Sequence, residues 1–212
     1  MGIHYITGRS GSGKTMQVYR EIRRALERGD SRLILMVPEQ FTLQAERDLI
    51  RKLNLPGLLD VEVLSFSRLA HRVFNEVGGL TQIHINDQGR RMILRRLLDS
   101  CRDRLTVYKT VSGQSGFIEQ ISDLLADLKQ HDIMPEQMRR QAEGLDSNEL
   151  LSGKLKDTAR IYEEFNRYLK DRYIDSEDAV NALIERMDQS SFLSGARIWM
   201  DGFDYYPPQT IR

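Results

Sequence analysis

Cysteine is almost absent from this sequence: Cys101 is the single one among 212 residues. One thiol cannot form an internal disulfide, and it cannot supply the several cysteine ligands of a zinc or iron–sulfur site within these residues. We expect Cys101 to be a small core residue on a helix. The composition therefore excludes a disulfide scaffold and a cysteine-based metal centre in this stretch of chain.

Long hydrophobic runs and an excess of charge of one sign are also missing. The longest apolar run, Leu33 to Val37, is much shorter than the roughly 20 residues that span a bilayer. Lys plus Arg and Asp plus Glu number 31 each, so no overall field attracts the chain to nucleic acid or to an anionic membrane. The polar segment near Met1 leaves no room for a signal peptide. These features predict a cytoplasmic protein without a membrane segment, in which any DNA contact comes from a local patch.

The first third of the chain alternates strand patterns with helical patterns. Short apolar runs predict strands at His4 to Thr7, Leu33 to Val37 and Val61 to Leu64. Each run is followed by apolar residues at helical spacing, and Ser65 or Ser67 can cap the third helix. This βαβαβα order predicts an α/β protein with a parallel sheet.

Helical periodicity replaces this alternation from about Asp87 to Gln189, where no strand is predicted. The expected helices lie near residues 92–98, 117–128, 151–172 and 179–187. Strand signal returns at Arg197 to Met200. The sequence thus predicts a core of residues 1–86 and 190–212, interrupted by an all-helical insertion of residues 87–189.

The sequence GRSGSGKT matches the phosphate-binding pattern G-x-x-x-x-G-K-[ST] between a predicted strand and a predicted helix. Its glycines let the backbone curl so that N–H groups point inward, and the following helix adds its positive end. Lys14 would reach the β- and γ-phosphates of ATP, and the Thr15 hydroxyl would hold Mg²⁺. The residues expected to bind the nucleotide are Gly8, Arg9, Ser10, Gly11, Ser12, Gly13, Lys14 and Thr15. The alternative is a glycine-rich turn without a ligand.

A second carboxylate usually completes the metal site of a P-loop, at the end of an apolar strand. Asp201 follows Ile198-Trp199-Met200 and, with Thr15, forms the predicted magnesium site; the alternative is a solvated aspartate. The next residue is Gly202, where hydrolytic P-loop motors usually have a glutamate that polarises the attacking water. Asp204 replaces that glutamate only if the strand continues so far. We therefore assign no catalytic residue and expect ATP to be bound better than it is hydrolysed.

Several segments, taken together, resemble one family. GRSGSGKT, VPEQFTLQAE (Val37 to Glu46), LSFSRLAHRVF (Leu64 to Phe74) and WMDGFDYYPPQ (Trp199 to Gln209) are similar, in this order, to the start of the AddB-type B subunit of the bacterial AddAB helicase-nuclease. The resemblance covers essentially the whole chain. It implies a P-loop NTPase core of the superfamily 1 helicase type that has lost motor function, at the start of a longer polypeptide. That polypeptide processes DNA double-strand breaks with an AddA-type partner and helps recognise Chi.

The resemblance also implies where DNA, mainly single-stranded, is touched. Two superfamily 1 helicase motifs map to Pro38 to Thr42 and to Ser65 to Ser67, with Phe41 or Phe66 as a stacking face. The alternatives are helix caps for the hydroxyl residues and core burial for the phenylalanines. The family's 4Fe–4S cysteines, nuclease carboxylates and arginine fingers lie beyond these residues. No glutamine motif that reads adenine precedes the first predicted strand, so selectivity for adenine stays open.

Two other functions remain open at this point. One is a small P-loop kinase or nucleotidase that acts on a metabolite, with the helical block as its lid; its phosphate-binding arginines would be Arg90, Arg91, Arg95 and Arg96. The other is an interaction module with a vestigial P-loop. Binding of ATP and Mg²⁺ distinguishes this module from the first two functions.

Overall fold

The computed structural model describes residues 2–54, 57, 60–78, 81–145 and 148–212. Pro56 and Gly79, which the sequence predicts to stand just after the second and third helices, lie outside the described residues. The chain divides into two compact units, the first of Met1–Gly78 and Glu185–Tyr205 and the second of Gly79–Ile184 and Tyr206–Arg212. Each unit contains its own cluster of buried apolar side chains.

Strands and helices follow one another along the described chain. The strands are β1 (Leu33–Met36), β2 (Val61–Leu64), β3 (Ile83–His84), β4 (Tyr173–Ile174) and β5 (Arg197–Met200). The helices are α1 (Lys14–Glu27), α2 (Thr42–Leu53), α3 (Phe66–Val77), α4 (Asp87–Cys101), α5 (Ser115–Gln130), α6 (Pro135–Glu143), α7 (Glu149–Leu169), α8 (Ser176–Arg186) and α9 (Pro208–Ile211). Within the described ranges, none of these helices combines the length and the apolar character that a membrane crossing requires.

The sheet of the first unit has three parallel strands in the order β2-β1-β5. Leu33 of β1 lies opposite Val61 of β2 and Arg197 of β5. All four residues of β1 are buried, as expected for a central strand covered on both faces. The mixed α/β architecture with a parallel sheet is therefore confirmed.

The strand predicted at residues 4–7 is wrong for this structure. Residues 2–9 form no regular secondary structure, and Ile3 and Tyr5 are 81% and 83% exposed. A strand persists only when a neighbour satisfies its backbone groups. Among the described residues, β5 is an edge strand that pairs with β1 alone, and no strand extends the sheet beyond it. An apolar run was thus not sufficient to form a strand.

Helices of the first unit bury the stripes that their periodicity predicts. The buried side chains of α1 and α2 are Val18, Tyr19, Ile22, Ala25, Thr42, Ala45, Leu49 and Leu53. Ser65 caps α3, because its Oγ accepts a hydrogen bond from the Arg68 N–H at 3.3 Å. The predicted cap is confirmed for Ser65.

A carboxylate near the end of α3 holds the segment that leads back to the sheet. Glu76 accepts hydrogen bonds from the Ser190 hydroxyl at 2.6 Å, the Ser191 N–H at 2.9 Å and the Phe192 N–H at 3.2 Å. The Ser191 hydroxyl also donates to it. The bonds from Ser190 and Ser191 are the main reason that the pKa of Glu76 is lowered to about 2. This contact fixes the path of the chain into β5.

The second unit is mainly helical, and its core contains Leu94, Leu98, Leu125, Tyr162 and Phe165. Cys101 belongs to this core and is 1% exposed, which confirms its predicted role. Three elements here were not predicted from the sequence: the short parallel pair β3–β4, helix α6 and helix α9. Two-residue strands carry too little pattern to be detected. The signal for α6 was Pro135, which is favourable at the first position of a helix.

Replacing Glu76 with glutamine should lower the stability of the chain near neutral pH. The folded-state pKa of about 2 lies below the unfolded value of 4.5, so the stabilisation is fully present above pH 4.5 and is lost as the pH falls toward 2. Urea unfolding followed by circular dichroism at several pH values measures the difference. We expect the difference in unfolding free energy between the parent chain and Glu76→Gln to become smaller as the pH decreases. Glu185→Gln is the control, since Glu185 is also exposed; an equal effect of both variants would contradict this assignment.

Candidate nucleotide-binding site

Two glycines of the GRSGSGKT segment adopt backbone conformations that other residues avoid. Gly11 has φ +75° and Gly13 has φ +88°, and Gly13 stands at the position from which α1 starts. L-residues with a side chain are strained in this left-handed region. The Ser12 N–H donates to the Arg9 carbonyl at 3.1 Å, which closes a tight turn between them. The loop therefore needs these glycines to curl into the start of the helix.

Gly8 is favoured for a different reason, which is close approach within the loop. A Cβ at Gly8 would lie 3.2 Å from Ser12 Cβ and would displace the Ser12 hydroxyl. The two ends of the loop thus pack closely against each other. Arg9, Ser10 and Ser12 are exposed along the loop.

The Lys14 ammonium makes hydrogen bonds to the loop that precedes α1. Its Nζ donates to the Gly8 carbonyl at 2.8 Å and to the Arg9 carbonyl at 3.0 Å. The Gln17 N–H makes the first intrahelical bond of α1, to the Gly13 carbonyl at 2.9 Å. By helix geometry, the N–H groups of Lys14 and Thr15 have no intrahelical acceptor. The loop therefore presents an ammonium and backbone donors at one place, which are the groups that bind phosphate.

Asp201 follows β5 directly, and its N–H donates to the Met36 carbonyl at 3.0 Å. Strand β5 lies beside α1, because Trp199 Nε1 donates a hydrogen bond to Glu21 at 3.1 Å. Burial, with a smaller contribution from the Asp48 and Asp201 carboxylates, raises the pKa of Tyr19 to about 12. Tyr19 lies one helical turn after Thr15. The structure thus brings Asp201 to the side of the sheet covered by α1, and a shared metal ion with Thr15 remains a prediction.

The backbone at residue 202 favours glycine and ends the strand. Gly202 has φ +79°, and a Cβ there would lie 3.6 Å from Pro38 Cδ. Strand β5 stops at Met200, so Gly202 and Asp204 do not share the face of an extended strand. A glutamate at residue 202 would be strained in this conformation. The absence of a carboxylate at this position therefore agrees with the local fold.

The loops after the three strands lie at one edge of the sheet, because the strands are parallel. Phe66, after β2, packs on Phe203, after β5, with ring centroids 5.6 Å apart and planes inclined by 56°. Phe41, after β1, is 43% exposed and so is not a core residue. Phe203 is not among the residues predicted from the sequence, although its position after a strand of the same sheet was an available signal.

The segments after β1 and β2 also carry charged side chains. The Ser65 hydroxyl donates to Glu39, and Arg68 lies 3.7 Å from Glu39 and 3.3 Å from Glu46. The Thr42 hydroxyl donates to the Glu39 carbonyl at 3.1 Å. Thr42 and Ser65 thus have structural partners at the positions predicted to touch DNA. A phosphate at this edge would compete with Glu39 for Ser65 and Arg68.

The four arginines considered for a kinase lid lie on α4, in the second unit. Arg90 is 3% exposed and donates to Glu177 at 2.7 Å, and Arg91 pairs with Glu119 at 3.0 Å. Arg90 is therefore buried and paired inside its own unit. Across the described ranges, no three His, Cys, Asp or Glu side chains come together as metal ligands.

The fold and the loop define a class: an α/β protein with a parallel sheet and, before its first helix, a glycine-rich loop whose sequence matches the phosphate-binding pattern. The family model described as "ADDB, N-terminal" matches residues 5–212, and the chain belongs to this family.

Relatives that are named as the B subunit of an ATP-dependent helicase/deoxyribonuclease match the whole chain. Those of Alkaliphilus metalliredigens and Alkaliphilus oremlandii are each 49% identical over 213 aligned residues, which cover 100% of this chain and 18% and 19% of the relatives. The Ruminiclostridium cellulolyticum relative is 40% identical and is covered to 18%. The chain thus spans less than a fifth of the length of these relatives.

Proposed function

We propose that this chain is the ATP-binding, helicase-like N-terminal domain of the B subunit of a helicase-nuclease. The observation that carries the proposal is the position of the Lys14 ammonium inside a loop curled by Gly11 and Gly13 at the start of α1. Family membership and the names of the relatives support it. Gly8 to Thr15 would hold the phosphates of ATP, and Thr15 with Asp201 would hold Mg²⁺.

The wider role rests on the family. A B subunit implies a partner, which we propose to be an AddA-type helicase-nuclease subunit, and a substrate, which we propose to be broken double-stranded DNA in the cytoplasm. Recognition of Chi and a loss of motor function are part of the same proposal. Residues 1–86 and 190–212 would form the P-loop core and residues 87–189 the insertion. The 4Fe–4S cluster of the family would be held by cysteines outside this chain.

A second part of the proposal is weak binding of single-stranded DNA at the edge of the sheet. The Phe66–Phe203 pair and the exposed Phe41 provide rings on which bases can stack. Glu39 and Glu46 offset the charge of Arg68 at this edge, so the attraction for phosphate is small. The neutral overall charge of the chain also keeps the attraction for phosphate small.

Replacing Lys14 with alanine should weaken ATP binding about tenfold or more, because a hydrogen bond to a charged group contributes about 1.5–3 kcal/mol. Isothermal titration calorimetry of the chain with ATP and Mg²⁺ measures the change.

Thr15→Ala and Asp201→Asn should remove the part of the ATP affinity that depends on Mg²⁺. Lys170→Ala is the matched control, because Lys170 is exposed at the end of α7. Equal affinity in Lys14→Ala and Lys170→Ala would refute the site.

ATP turnover by the chain should be near background. Gly202 has no side chain that positions water, and the arginine fingers of the family, worth about 10³ to 10⁵ in rate, are not part of this sequence. A steady-state ATPase assay with single-stranded DNA present checks this expectation. Robust turnover that Asp204→Asn abolishes would show that Asp204 serves as the base and would overturn it.

Phe66→Ala should weaken binding of a fluorescent oligo(dT) about tenfold, since stacking of one base contributes about 1–3 kcal/mol. Fluorescence anisotropy at low salt gives the affinity, and the urea midpoint shows whether the variant is folded. Tyr5→Ala is the control, because Tyr5 is an exposed ring outside the three edge loops. If both variants bind oligo(dT) as the parent chain does, the edge is not a stacking surface.

A further inference from the structure

Charge is segregated along the second unit although the chain as a whole is neutral. Residues 90–109 contain seven arginine and lysine residues and two acidic residues, whereas residues 115–149 contain eight acidic and three basic residues. The first two of the seven cations, Arg90 and Arg91, pair with Glu177 and Glu119. The other five extend from the middle of α4 into the loop that follows it.

These five cations and one from α7 form what we call the basic surface: Arg95, Arg96, Arg102, Arg104, Lys109 and Arg160. Arg102 Nε donates to the Lys109 carbonyl at 3.1 Å, and Arg160 donates to the Arg104 carbonyl. The end of α4, the loop after it and α7 therefore meet at this surface. All six residues are exposed.

The loop of the basic surface is held rigidly by α7. Asp157 is 3% exposed, and its carboxylate accepts the N–H groups of Thr106 at 3.0 Å, Val107 at 2.8 Å and Tyr108 at 2.9 Å. Gly153, one turn earlier, approaches Val107 so closely that a Cβ would collide with its side chain. The backbone that carries Arg104 and Lys109 is thus ordered before any ligand arrives, which lowers the entropy cost of binding.

The fold uses only part of this charge. Arg104 pairs with Glu164 at 3.1 Å and Lys109 with Asp103 at 3.0 Å, yet both cationic side chains remain more than half exposed. Arg95 and Arg96 take part in none of the ion pairs found in the described part of the chain. All six cationic side chains of this surface are therefore accessible to an anionic partner, and within the described part of the chain only Arg104 and Lys109 form ion pairs.

We propose that the basic surface binds the sugar–phosphate backbone of duplex DNA. Arg95 and Arg102 are seven residues apart, which is a rise of about 10 Å along a helix axis. This distance is about three times the spacing of phosphates on one strand of B-DNA. Tyr108, the aromatic residue of this loop, packs its ring on Phe117 with centroids 4.8 Å apart. The surface thus offers cations without an accessible stacking ring, which suits a paired helix better than unpaired bases.

The basic surface belongs to the second unit, and its binding of DNA requires no ATP. The test is binding of the chain to a fluorescent blunt duplex at a series of salt concentrations, measured by anisotropy. Arg95→Ala/Arg96→Ala should make the slope of log Kd against log salt shallower by about 1.8, because each phosphate contact contributes about 0.9. Lys109→Ala should reduce it by about 0.9. Neither change should alter the urea midpoint, since these side chains are exposed.

The matched control is Arg140→Ala/Lys170→Ala, which removes two exposed cations of the same unit outside the basic surface. It should leave the slope unchanged. No measurable binding of the duplex by the parent chain, an unchanged slope in Arg95→Ala/Arg96→Ala, or an equal loss in the control would overturn the proposal.

A competition experiment separates DNA from an acidic protein partner. Duplex DNA carries one charge per roughly 1.7 Å of axis, about twice the density of an extended polyglutamate at roughly 3.3–3.6 Å per residue. The labelled duplex should therefore be displaced by unlabelled duplex at a lower charge concentration than by polyglutamate. Equal or better displacement by polyglutamate would assign the surface to an acidic protein and overturn the DNA proposal.

Discussion

The pairing of β1 on both of its edges is the interaction on which the first unit depends. β1 is fully buried, so its N–H and C=O groups must find partners within the protein. One neighbour, β2, comes from the same part of the chain, and the other, β5, comes from its far end. This second pairing places Asp201 beside Met36 and on the side of α1. The predicted metal ligand is thus positioned by a long-range contact, which the bonds of Glu76 to residues 190–192 reinforce.

Parallel pairing also explains why the predicted metal ligand Asp201 and the candidate DNA contacts share one edge of the sheet. The chain leaves β1, β2 and β5 at the same edge, so Phe41, Phe66, Phe203 and Asp201 follow strands that end together. Gly202, with its left-handed backbone beside Pro38, lies between Asp201 and Phe203.

Charges play a structural role inside the second unit. Lys129 is 6% exposed and contacts Asp175 at 2.6 Å and Asp178 at 2.7 Å, while Arg90 contacts Glu177. Burial raises the pKa of Glu177, and Arg90 opposes that rise. A buried charge of this kind requires its partner, because desolvation without pairing is costly. The interior cations are therefore fixed by the fold, whereas those of the basic surface are exposed.

The sequence by itself determined the elements whose signal is local. The spacing of apolar residues gave the long helices, the continuous run at Leu33–Met36 gave a buried strand, and GRSGSGKT gave the loop with its glycines and Lys14. Tertiary structure alone decided the rest. A strand at residues 4–7 failed because backbone hydrogen bonding needs a neighbour, and Phe203 met Phe66 because a sheet joins distant segments. The hydrogen-bond partners of Glu76 and Asp157 could not be predicted from the sequence either. Tertiary packing decides which donors a buried or partly buried carboxylate meets, and these donors lie far away along the chain.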